Sequence, residues 1–233
     1  MITDFLSSAF FRLKAPFRAR PKIDIDDVSS FLKHSRGVIH VGANKGQERY
    51  LYDSLGLDVL WIEPIPTICK RLRRNVAGFR KQRVLEALLL DQPGTQVVLH
   101  VANNGGASSS IFDFKLHTDI WPDVRYTHDL PLTSKTLPGL LHESGIEVGR
   151  YDALLIDTQG SELLILQGAR DILSAFRFIQ VEAADFAAYD GAATTSQIET
   201  FLYEAGFRFL SSRRLAVHDG GGTYCDMVFE AAA

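Results

Sequence analysis

Two hydrophobic patterns alternate along this chain of 233 residues. The first is a short, nearly unbroken apolar run. It occurs as Val38-Ile39-His40-Val41, Val59-Leu60-Trp61-Ile62, residues 84–90, Ala153-Leu154-Leu155-Ile156 and Phe178-Ile179-Gln180-Val181. Runs of this kind predict strands covered on both faces, as in a parallel sheet. The second pattern repeats at helical spacing. Ile68, Leu72 and Val76 share one face while Arg71, Arg73 and Arg74 take the other, and Ile198, Phe201, Leu202 and Ala205 make a similar stripe. Helices are expected over 25–32, 46–55, from Pro66 to Gly78, over 136–144 and 163–169, and from a capping box Ser196-x-x-Glu199 to Gly206. Strand–helix alternation predicts an α/β chain with a mostly parallel, doubly wound sheet. Residues 207–211 and 224–230, joined by Gly220-Gly221-Gly222, predict a closing antiparallel hairpin.

The middle of the chain breaks this rhythm. Residues 84–90 and 95–101 flank Asp91-Gln92-Pro93-Gly94, a turn by composition, and are expected to pair as a hairpin. Residues 103–110 are small and polar, a loop. Residues 111–130 carry Phe112, Phe114, His117, Trp121 and His128 without a period, and predict an irregular insertion that forms part of a substrate pocket. A short strand is expected at 130–132.

Composition adds limits more than content. Hydrophobic residues make 46% and charged residues 23% of the chain, as in an ordinary globular protein, and 23–233 is read as a single domain. A net charge of −3 gives no sign of a nucleic-acid partner. Cys69 and Cys225 lie far apart without zinc-ligand spacing, which suits core residues in a reducing, cytoplasmic setting. No apolar run approaches the roughly 20 residues of a membrane span, and no signal peptide is expected. Residues 1–22 stand apart. Ile2, Phe5, Leu6, Ala9, Phe10 and Leu13 form an apolar stripe, followed by Arg12, Lys14, Arg18, Arg20 and Lys22. Such an arm is expected to cover the domain as a packed helix, to stay partly disordered, or to make peripheral contact with a membrane surface.

The chemistry gathers at the ends of the apolar runs. After Val41 comes Gly42-Ala43-Asn44-Lys45-Gly46-Gln47, a strand-to-helix turn with open backbone N–H groups. The dinucleotide fingerprint needs glycines where Asn44 and Gln47 stand, so a pyrophosphate is not favoured. The smaller, polar gap suits S-adenosylmethionine. The second strand ends in Glu63, placed to accept hydrogen bonds from ribose hydroxyls. Asp157 and Glu182 end two later strands. Ligands of open α/β sheets bind beyond these strand ends, so the three carboxylates are expected around one crevice.

Several of these motifs together carry a family resemblance. Val41-Gly42-Ala43-Asn44-Lys45-Gly46-Gln47, Trp61-Ile62-Glu63-Pro64, Ser108-Ser109-Ser110, and Leu155-Ile156-Asp157-Thr158-Gln159-Gly160-Ser161-Glu162-Leu163 resemble the FkbM family of methyltransferases, in the same order and spacing. Val181-Glu182, Tyr189 and Gly206-Phe207 extend the likeness over roughly residues 36–230. The resemblance implies a Rossmann-like class I methyltransferase fold and S-adenosylmethionine as methyl donor. It also implies a hydroxyl acceptor on a sugar, glycan or secondary metabolite. By the same resemblance the turn holding Gly42, Ala43, Asn44, Gly46 and Gln47 would take the methionine part of the cofactor. Glu63, followed by Pro64, would take the ribose. Ala87 and Leu88 would take the adenine, and Asp157 would lie at the mouth where methyl is transferred. One position departs: His40 stands where the family's first strand carries an acid that helps to bind the cofactor's ammonium. A charged imidazole would repel that group; a neutral one could accept a hydrogen bond from it.

Methyl transfer from a sulfonium needs position first and a base second. The candidates for the base are Asp157, then Glu182 and His117. Asp157 and Glu182 could also share a Mg²⁺, which keeps several waters and needs few protein ligands; the reading without metal is preferred. Two other readings stay open, a nicotinamide-dependent oxidoreductase and a non-catalytic nucleotide-binding module.

Overall fold

The computed structural model describes residues 27–232. The arm at 1–22 and the domain boundary at 23 lie outside the described residues. A 3-10 helix, Asp27–His34, leads into β1 (Gly37–Val41), every residue of which is buried. There follow α1 (Arg49–Ser54), β2 (Asp58–Glu63), α2 (Pro66–Val76) and β3 (Gln82–Glu86). After an inserted region come α4 (Leu137–Glu143), β7 (Ala153–Ile156), α5 (Glu162–Gly168) and β8 (Phe178–Ala184). The chain closes with α6 (Thr195–Glu204), β9 (Phe207–Val217) and β10 (Thr223–Ala231).

These strands make one seven-stranded sheet in the order β3-β2-β1-β7-β8-β10-β9. The first five in that order run parallel, and β10 is antiparallel to both β8 and β9. The expected doubly wound sheet and closing hairpin are both present. Side chains alternate across the pleat, so each strand feeds two cores. Ile39, Leu60, Leu154 and Ile179 pack with α4, α5 and α6 on one face. Val38, Val59, Trp61 and Leu155 pack with the first 3-10 helix, α1 and α2 on the other. Burying each such Leu, Ile or Val stabilises the fold by roughly 1.5–3 kcal/mol. On α2, Pro66 occupies the first turn, and Ile68, Cys69, Leu72 and Val76 face inward as their spacing predicts.

The insertion differs from its expectation. The apolar run 84–90 is two strands: β3 ends at Glu86, and β4 (Leu88–Leu89) belongs to a second sheet. Being an edge strand, β3 is only partly covered. No hairpin joins 84–90 to 95–101. Instead β5 (Gln96–Ala102) pairs antiparallel with β6 (Tyr126–Lys135), and β4 pairs parallel with β6. The expected short strand at 130–132 is thus the middle of a ten-residue strand. Pro131 disguises it in the sequence. The proline is tolerated because β4 reaches only Ser134 and Lys135, which leaves one side of β6 unpaired at Pro131. A short helix, α3 (His117–Ile120), lies within the aromatic stretch. The capping box is also shifted. Thr194, not Ser196, caps α6, and the side-chain oxygen of Gln197 accepts from the Thr194 N–H at 2.9 Å.

Candidate active site

The main sheet changes winding direction between β1 and β7, and the two chain segments leaving these strands meet there. Gly42 has φ +81°, and a Cβ on it would fall 1.7 Å from the Asp157 carbonyl oxygen. Glycine is therefore required by the neighbouring strand end as well as by the turn. Glu63, at the end of β2, fastens the turn. One carboxylate oxygen accepts from the Asn44 N–H at 2.8 Å, and the other from the Ile65 N–H at 2.9 Å. The side chain is 4% exposed, and burial pushes its carboxyl up to about 7 against the pull of those two N–H groups. The Asn44 amide reaches across to the Gly105 carbonyl at 3.2 Å, tying the turn to the loop over it.

Across the crevice, Asp157 and Glu182 are brought together by Gln159. Its side-chain N–H₂ donates to Asp157 Oδ1 at 2.8 Å and to Glu182 Oε1 at 2.9 Å. Its amide oxygen accepts from the Tyr189 hydroxyl at 2.7 Å, and its backbone carbonyl from Ser110 Oγ at 2.6 Å. Gln159 itself sits at φ +61°, an unusual conformation for a side chain of this size. Glu162 holds the loop in that shape by accepting from the N–H groups of Thr158 and Gly160, each at 3.0 Å. Burial raises both Asp157 and Glu182 above the usual carboxylate range. Asp157 then acts on Glu182 and raises it further, while the Gln159 amide opposes the rise in each. Each charge opposes the other, so one charge between them is favoured over two.

A cavity of about 350 Å³ joins the two sides, within the usual range for a small-molecule site. Gly42, Ala43, Asn44, Gln47, Glu63, Pro64, Ala87 and Leu88 line it, as do His40, His117, Asp157 and Glu182. Of the expected site residues only Gly46 is absent from the wall. A Cβ there would meet the Leu72 side chain at 2.6 Å, so this glycine serves packing beneath the turn.

His40 is 7% exposed, and its Nδ1 lies 2.9 Å from the Tyr52 hydroxyl. Burial lowers it to about 4, which makes the imidazole neutral at physiological pH. An acid does stand on the same wall: Glu48, at the start of α1, pushed up to about 7 by burial, with Asp226 adding to the rise. The sequence reading missed Glu48, Gln159, Tyr224, Arg213 and Asp226 as wall residues. Only Gln159 had a signal, its place between Asp157 and Glu162. Asp226 lies opposite Glu182 in the β8–β10 register, and Arg213 bonds it at 2.7 Å. Among the described residues, no group of three or more His, Cys, Asp or Glu side chains is arranged to hold a metal ion.

The chain's likenesses agree with this geometry. A relative, the 2-O-methyltransferase NoeI of Sinorhizobium fredii, is 26% identical over 178 residues, which cover 73% of this chain and 72% of that protein. Among solved structures, Streptococcus pneumoniae Sp1610, a candidate tRNA (m1A22) methyltransferase, superposes with a TM-score of 0.50. It shares 13% identity and covers 90% of this chain and 71% of its own. That likeness bears on the fold alone, the Rossmann-like class I methyltransferase fold. The model of the methyltransferase FkbM domain matches residues 40–209, from His40 on β1 to Phe209 on β9, and takes in the Gly42 turn, Glu63 and the Asp157–Gln159–Glu182 group. The chain belongs to the FkbM methyltransferase family.

Proposed function

We propose that this chain is an S-adenosylmethionine-dependent O-methyltransferase acting on a hydroxyl of a sugar, glycan or secondary metabolite. The observation that carries the reading is the Gln159-bridged pair of Asp157 and Glu182, facing the Glu63-fastened turn across one cavity. The donor set fits the cofactor. Glu63 keeps lone pairs for ribose hydroxyls beyond the two backbone bonds it accepts. Ala87 and Leu88 offer an apolar ledge for adenine. The turn from Gly42 to Gln47 takes the amino-acid end. Glu48 stands in for the acid that His40 replaces: burial raises its affinity for a proton, and an ammonium bound beside it would favour its ionised form.

The cofactor supplies an activated methyl group on a sulfonium whose leaving group is a neutral thioether. The protein's share is placement and one proton. Orientation is worth about 7–11 kcal/mol of barrier. The acceptor's hydroxyl proton passes to the Asp157–Glu182 pair, with Asp157 as the receiving carboxylate. General-base help of this kind adds roughly 10²–10⁴-fold. A pair held above the ordinary carboxylate range suits the task better than His117, which burial lowers to about 4 and makes a weak base.

Calorimetric titration of the full chain with S-adenosylhomocysteine and, separately, with NAD tests the reading. S-adenosylhomocysteine is expected to bind and NAD not to; the reverse would replace the reading with the oxidoreductase. In an EDTA-treated sample, added Mg²⁺ is expected to leave methyl transfer unchanged.

A further inference from the structure

Charge is spread unevenly over this chain. Its net charge is −3, yet residues 64–81 hold Lys70, Arg71, Arg73, Arg74, Arg80 and Lys81 and no acid. All six cations are exposed. Four of them lie on α2. Ile68, Cys69, Leu72 and Val76 form its buried face, which sets Lys70 and Arg74 on the opposite side, with Arg71 and Arg73 flanking them. Arg80 and Lys81 follow in the turn before β3. Part of this charge has a local partner. The helix dipole favours Arg73 and Arg74 in the last turn, and Arg73 lies 3.5 Å from Glu86. Lys81 donates to the Gly56 carbonyl at 2.8 Å. Among the described residues, Lys70, Arg71, Arg74 and Arg80 have no ion pair. Arg71 presses instead on another cation: burial, and then its charge, hold Lys45 below the usual lysine range. Like charges crowded on one face repel, and an anionic surface relieves that repulsion.

We propose that the outer face of α2 and the turn after it dock on an anionic phospholipid surface. Two observations favour lipid over other polyanions. The first is what the face lacks. None of the six cations lines the cavity, and no large hydrophobic side chain is exposed between residues 64 and 81. The cations therefore have no aromatic platform among them on which bases could stack, the usual companion of positive charge in single-strand binding. The second is the layer to which the face belongs. The 3-10 helix Asp27–His34 packs through Phe31 and Leu32 on the same side of the sheet as α2. Residues 1–22, which precede it and lie outside the described residues, carry the apolar stripe and the five cations Arg12, Lys14, Arg18, Arg20 and Lys22. One weak anchor binds a membrane marginally, and a basic patch supplies the second signal. In this division α2 contributes attraction to the headgroups and inserts nothing, because its large apolar side chains face the core. Docking here does not require methyl transfer.

Co-sedimentation of the full chain with vesicles tests the proposal. One set is pure phosphatidylcholine, the other equal parts phosphatidylcholine and phosphatidylglycerol. Binding is expected to the mixed vesicles alone, and to fall steeply as salt is raised. Replacing three cations together, Lys70→Gln, Arg74→Gln and Arg80→Gln, is expected to weaken it roughly a hundredfold, about fivefold per cation. These side chains are exposed and away from the cavity, so far-UV circular dichroism should match the parent. Removing three exposed cations elsewhere, Lys115→Gln, Arg125→Gln and Arg170→Gln, controls for net charge and is expected to leave binding as in the parent. The proposal is overturned if mixed vesicles do not bind the chain, or bind it no better than phosphatidylcholine. It is overturned equally if the α2 variant binds like the parent, which would leave residues 1–22 as the anchor, or if the control variant weakens as much. Tighter binding to a mixed-sequence single-stranded RNA than to the mixed vesicles, at equal phosphate concentration, would replace lipid by nucleic acid as the partner. Vesicle binding by a chain that does not take S-adenosylhomocysteine would keep the docking surface and remove the methyl-transfer reading.

Discussion

Glu63 and the Asp157–Glu182 pair are carboxylates at the ends of strands in one sheet, yet they are held in opposite ways. Glu63 is gripped by backbone. Its two oxygens take the N–H groups of Asn44 and Ile65, so it cannot move without unmaking the turn. Asp157 and Glu182 are gripped by one side chain, the Gln159 amide, which donates to both. The first arrangement suits a fixed acceptor for a ligand's hydroxyls. The second suits a proton that must come and go, because a shared amide leaves each carboxyl group with unused lone pairs and holds close two groups that resist being charged together. Rigidity at one end and exchangeable protons at the other are what a transfer reaction between two bound molecules requires.

The largest expected break of this contrast is Asp157→Asn. Turnover should fall roughly 10²–10⁴-fold, about 3–5 kcal/mol, with S-adenosylhomocysteine affinity nearly unchanged. Calorimetry and single-turnover rates at saturating cofactor give the two readings, and a variant that loses affinity but keeps its rate would reverse the roles of the two ends. Glu63→Gln should do what Asp157→Asn does not. It places an amide N–H₂ against a backbone N–H, and cofactor affinity should drop by about 1.5–3 kcal/mol, with the rate at saturation less affected. The smallest effect expected is that of Gln159→Leu on the pH profile. The Gln159 bond favours the ionised forms of both acids. Losing it raises them further, so the rising limb of the rate should move to higher pH, by about one unit if the bond is worth about 1.4 kcal/mol. A limb that moves to lower pH, or stays in place, would show that Gln159 does not tune the pair.

The inserted region makes a second contrast, between what short-range pattern can and cannot reveal. In the main sheet, strands β1, β2, β7 and β8 are buried on both faces, and their apolar runs are unambiguous. In the insertion, residues 84–90 read as one strand because nothing in the pattern marks the change of partner at Ala87, from β2 to β6. The long strand β6 was hidden by Pro131 and by polar residues facing solvent, and its pairing with β5 is a contact between distant parts of the chain. The capping box at α6 failed for a smaller reason. Thr194, Thr195 and Ser196 can all cap a helix, and the start is decided by where Ile198, Phe201 and Leu202 must point to reach the core.

The amino-acid sequence by itself determined the parallel core, the Gly42 turn and the three carboxylates around one crevice. Each of these is written in neighbouring residues: an apolar run, a glycine, an acid at the strand's end. Only the tertiary structure decided that Gly42 must admit the Asp157 carbonyl and that Gln159 joins two acids. It alone placed Glu48 on the same cavity wall as His40, and it alone brought His117, Trp121 and Tyr224 together. These depend on which strands lie side by side, and that choice is made by the burial of whole faces, a property that no local stretch of chain carries.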